Sequence, residues 1–68
     1  MEVLREDRRA AEVRLTADEL AIINNALNEV CHGVDLPDFA SRIGVGRPAA
    51  ERLLAAVGAL LRRQAAPS

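Results

Sequence analysis

His32, Cys31, Ser41 and Ser68 are the side chains of this chain best suited to nucleophilic or metal chemistry, and their spacing assembles neither. A hydroxyl or thiol nucleophile needs a base within hydrogen-bond reach. Nothing in the sequence brings His32, the single histidine, to either serine. A zinc site needs three or four ligands at workable spacing, and Cys31-His32 supplies two neighbours with no third. Cys31 reads as a core thiol and His32 as a helix-terminal residue. Asp18/Glu19 and Asp35/Asp38 occupy cap-like positions, which argues against an acid–base dyad. Gly44-Val45-Gly46 precedes a helix, but a phosphate loop follows a strand, and here the preceding element reads as a helix. The expectation is a protein that is not an enzyme and needs no cofactor or metal.

What remains is recognition chemistry. Nine arginines and no lysine carry the positive charge. Residues 1–35 hold four Arg and eight acids, net −4, and residues 36–68 hold five Arg and two acids, net +3. A basic half suits an acidic partner, nucleic acid or protein. Asn24, Asn25 and Asn28 crowd five residues of one helix although Asn is a poor helix former. They read as a solvated border, or, for Asn24 and Asn28 one turn apart, as a polar contact with a partner.

The elements that position these residues are mostly helical by pattern. With 68 residues, one domain is the ceiling, and its core is small. Residues 1–11 are mostly charged and read as a flexible arm. Val13 and Leu15 alternate with polar neighbours, which allows one short strand. Thr16-Ala17-Asp18-Glu19 is a capping box. The helix it opens, about 17–32, places Leu20, Ile23, Ala26, Leu27, Val30 and Cys31 on one face, and Gly33 is expected to close it in the left-handed region. Pro37 opens a second helix, about 37–43, that uses Phe39, Ala40 and Ile43. A third, about 47–63, starts with Pro48 in its first turn and turns Ala49, Ala50, Leu53, Ala56, Val57, Leu60 and Leu61 inward. Residues 12–63 form the single domain, and 64–68 read as a disordered tail. The expected fold class is all-α: a three-helix domain preceded by a short strand or arm.

The segment from Phe39 onward resembles the helix-turn-helix family. A small residue, Ala40, lies four positions before Gly44, where the turn needs positive φ. Phe39, Ile43 and Val45 supply the flanking apolar positions, and Ala50 and Leu53 the two on the next helix. The resemblance covers about 20 residues. It implies a three-helix DNA-binding domain whose last helix enters the major groove. Carried over by position, Gly46, Arg47, Pro48, Glu51 and Arg52 would face base edges, with Arg42, Arg62 and Arg63 near phosphates. Arg47 and Arg52 are expected to point outward. The pattern departs at Gly46, where a Ser or Thr commonly anchors phosphate, and at Glu51, an acid on the reading face.

Two functions stay open at this point. One is a dimeric DNA-binding transcriptional regulator that uses Arg42, Arg47, Glu51, Arg52 and Arg62 on double-stranded DNA. The other is a protein-interaction module on the same scaffold, an adaptor, antitoxin or immunity-type inhibitor, which meets its partner through Ile22, Asn24 and Asn28. A homodimer is expected in either case, with Ile22, Leu54 and Leu61 as leftover apolar residues. No small-molecule substrate or membrane partner is expected. A single cysteine, no apolar run of membrane length and a charged N-terminus point to a cytoplasmic setting.

Overall fold

A computed structural model describes residues 1–65. Its order is strand β1 (Glu2–Glu6), strand β2 (Ala11–Arg14), helix α1 (Ala17–Asn28), one π-helical turn (Glu29–Gly33), helix α2 (Phe39–Ile43) and helix α3 (Arg47–Ala65). The two strands pair antiparallel, so the fold is mixed α and β, and the all-α expectation is overturned. Residues 2–6, read from sequence as part of a flexible arm, are a strand.

The hairpin is closed by one aspartate, and residues of opposite charge stand across its ladder. Its register sets Glu2 opposite Arg14, Val3 opposite Val13, Arg5 opposite Glu12 and Glu6 opposite Ala11, with a bulge between Val3 and Arg5. Opposite charges across an antiparallel pair stabilise it modestly. In the turn, the Asp7 carboxylate accepts from the N–H of Arg9 at 2.8 Å and of Ala10 at 2.9 Å, and the Asp7 N–H donates to the Ala10 carbonyl at 2.9 Å. Those two donors hold the Asp7 carboxyl below its ordinary pKa.

The capping box forms as the sequence predicts. The Glu19 N–H donates to Thr16 Oγ1 at 3.1 Å, and the Thr16 N–H donates to Glu19 Oε1 at 2.9 Å. Glu19 also receives the amine of Met1, which ties the base of the hairpin to α1. That amine, and then the Thr16 N–H, pull the Glu19 pKa from 4.5 to about 2.

Helix α1 ends differently from its prediction. Gly33 is not left-handed; the Val34 N–H closes a wider turn onto the Glu29 carbonyl at 3.1 Å. Helix α2 starts two residues later than expected, because Asp38 sits at φ 55° and breaks the first turn. Gly44 does take positive φ, at 97°, and its N–H donates to the Ala40 carbonyl at 2.8 Å. Helix α3 runs to Ala65, so Gln64 and Ala65 are helical, while the rest of the expected tail lies outside the described residues.

The core lies between α1 and α3. Leu20, Cys31 and Ala50 are its buried side chains, and among the described residues none is fully buried. On α3 the inward face is as expected at Ala49, Ala50, Val57, Leu60 and Leu61, with Leu54 half-buried at its edge, and departs from expectation at Leu53, which is 53 % exposed, and at Ala56, also exposed. Gly58 is where α1 comes near, since a Cβ there would stand 3.5 Å from Asn24 Oδ1. The radius of gyration is 13.5 Å, against about 11 Å for a compact chain of this length. Both strands of the hairpin are exposed along their length.

Two predictions follow from these contacts. Gly58→Ala should raise stability by about 1 kcal/mol through helix propensity, because its Cβ would make only ordinary contacts, 3.4 Å to Arg62 Nη1 and 3.5 Å to Asn24 Oδ1. A urea titration that shows destabilisation would mean the helices approach more closely there. For Glu19, a folded pKa below the unfolded value means that its contribution is present above about pH 4.5 and lost as pH falls toward about 2. Thermal melts across that range should show a smaller acid-induced loss for Glu19→Gln than for the unmutated chain; equal losses would refute the assignment.

Candidate interaction surface

The residues read as a DNA interface are divided by the fold. Arg47 is half-buried and faces inward. Its guanidinium lies 4.7 Å from the centroid of the Phe39 ring, and its Nη1 donates to the Cys31 carbonyl. The physical cause is the end of the first helical run. Carbonyls of a last turn lack intrahelical donors and carry the negative end of the helix dipole. A guanidinium placed there satisfies both, and its flat face stacks on the one aromatic ring of the chain. The outward orientation expected of Arg47 is therefore not what the structure has.

The other arginines of that set are exposed: Arg42 at the end of α2, and Arg52, Arg62 and Arg63 on α3. Arg62 reaches back toward Gly58, with Nη1 3.4 Å from where a Cβ would be. Glu51 is half-buried. Ala40 is exposed, so the small residue read as packing α2 onto the next helix is not covered. Val45 and Leu53 are exposed as well.

The residues read as a protein interface also separate. Asn24 turns toward α3 beside Gly58 and is half-buried, whereas Asn28 is exposed. They do not act as a pair on one open edge. Ile22 is 68 % exposed, as a leftover apolar residue should be. With Met1, Leu15, Glu19 and Ile23 it lines a shallow, mainly apolar groove of ≈ 280 Å³ at the base of the hairpin.

The sequence reading missed two features here. One is the Arg47–Phe39 stack, which no spacing rule announces across a turn. The other is strand β1, which pairs with the short strand that the alternation of Val13 and Leu15 allowed. Large apolar side chains left exposed run over the whole molecule: Met1, Val3, Leu4, Val13, Ile22, Val34, Ile43, Val45 and Leu53. Among the described residues no three of His, Cys, Asp and Glu converge as a metal site requires, and no helix is long and apolar enough to cross a membrane. Searches of protein families, curated proteins and solved structures gave no match to this chain.

The Arg47 junction gives a direct test. Arg47→Ala should lower stability by about 2 kcal/mol, from the lost charged hydrogen bond and the lost stack. Arg47→Lys should recover part of it, since the charge returns but the planar face does not. Urea unfolding of the two variants checks this; an Arg47→Ala protein as stable as its parent would mean the guanidinium is free.

Proposed function

We propose that this protein is a non-enzymatic protein-interaction module whose fold is completed by association. One observation carries the reading: among the described residues, three small or medium side chains are buried, while nine large apolar ones stand exposed. A single core in a chain this short supplies only about 3–5 kcal/mol at best. Apolar side chains that so small a core leaves in water gain free energy when a partner covers them. Ile22 and Leu53 are two of these side chains, the first on α1 and the second on α3.

Duplex DNA is the second reading, favoured by the exposed Arg42, Arg52, Arg62 and Arg63. It has lost Arg47 as a reading residue, because that guanidinium is engaged inside the fold.

An affinity comparison separates the two. The wild-type chain should retain a protein that the Ile22→Ser/Leu53→Ser variant releases, while the two remain equally folded by circular dichroism. Surface positions away from packed features rarely change stability by more than about 0.5 kcal/mol. Equal retention by both proteins, together with duplex binding that falls steeply between about 50 and 200 mM salt, would replace this reading with DNA binding.

A further inference from the structure

We infer that the hairpin is a self-pairing element: β2 of one chain joins β2 of a second copy, antiparallel, about a two-fold axis through Val13. The product is a four-stranded sheet in the order β1-β2-β2-β1. This rests on the association reading above and names one surface and one partner for it.

The hairpin has room for the added strands and reason to take them. All nine of its strand residues are exposed, and Val3 and Val13 are 50 % and 37 % exposed. An isolated two-stranded hairpin is marginal in water; three or more strands with an apolar face are needed for independent stability. An unpaired edge also presents N–H and C=O groups that another strand can use.

Charge then chooses the partner and the register. A two-fold axis perpendicular to a sheet leaves each side chain on its own face, so opposed residues must share parity along the strand. Centred on Val13, the pairing sets Val13 against Val13, Glu12 against Arg14 of the second copy, and Arg14 against Glu12. The hairpin register extends these pairs into rows. One row reads Val3, Val13, Val13, Val3. The rows on the other face read Glu2, Arg14, Glu12, Arg5 across the four strands, with the sign alternating at every step. Opposite charges directly across a strand pair stabilise, and like charges destabilise.

No other centre on either strand gives this complementarity. An axis at Glu12 opposes two glutamates, and one at Arg14 two arginines. On β1, an axis at Leu4 opposes Glu2 to Glu6, and one at Arg5 opposes two arginines. An axis at Val3 sets Met1 against Arg5 and Glu2 against Leu4. Strand β1 also carries the bulge between Val3 and Arg5, which bends a strand and interrupts further pairing. Charges on an edge ordinarily keep strands apart; on β2 the two signs flank Val13 so that a second copy meets its opposite.

The test uses the full chain with Val13→Cys or Val3→Cys, the unmutated protein controlling for the buried Cys31. Under mild oxidation, Val13→Cys should form an intermolecular disulfide, because opposed Cα atoms lie about 4.5–5.5 Å apart. Val3→Cys should not, since its two copies are separated by three strand spacings, about 14 Å, well beyond the ~7 Å limit for a bridge. Non-reducing electrophoresis should show on the order of tenfold more linked dimer for Val13→Cys. Light scattering on the unmutated protein should give the mass of two chains, a result that does not depend on either variant folding. Preferential linking of Val3→Cys, equal linking of both, or linking of neither overturns the inference. A dimer without the Val13 link removes this edge but leaves association through the other apolar surfaces standing. Those surfaces stand or fall by the Ile22→Ser/Leu53→Ser comparison.

Discussion

The helical part of the molecule turns on one guanidinium. Arg47, the first residue of α3, reaches the Cys31 carbonyl where the first helical run ends and stacks on Phe39, the first residue of α2. One side chain thus joins the end of the first helical run, the start of α2 and the start of α3. A charged hydrogen bond is worth about 1.5–3 kcal/mol, a large share of what so small a core supplies. The same engagement turns inward the cation that the helix-turn-helix resemblance set at a base edge.

The rest of the architecture shows the consequences of a short chain. Two helices pack along Leu20, Cys31 and Ala50, with Gly58 beside Asn24. Such a pair has one contact face each, and what lies off that face stays open. The hairpin adds backbone hydrogen bonds and the Met1–Glu19 ion pair, but it covers little of the helical surface. Exposed apolar groups on the hairpin and on both main helices are therefore a property of the whole fold rather than of one patch. A partner that brings further strands or helices would supply the burial that this chain lacks.

Several elements were legible in the residues alone. Thr16 through Glu19 gave the start of α1, because a capping box is a local motif with local partners. Gly44 gave the turn before α3, because only glycine takes φ 97° without strain. Strand β1 was hidden, since Glu has low strand preference and its support comes from a ladder with a strand five or more residues away. The π-helical turn and the left-handed Asp38 were hidden too; no local motif announces either. The inward face of α3 was misjudged at Leu53 and Ala56, whose exposure depends on the approach angle of α1. The site residues proved hardest to read. Position along a motif placed Arg47 outward, and a ring and a carbonyl remote in sequence draw it inward.

The central claim is that association adds stability to this small fold. Urea unfolding followed at two chain concentrations, about a hundredfold apart, tests it most directly. Self-association predicts a midpoint that moves to higher urea as the concentration rises. A midpoint that stays fixed would show that the single chain is stable on its own, and would contradict the account.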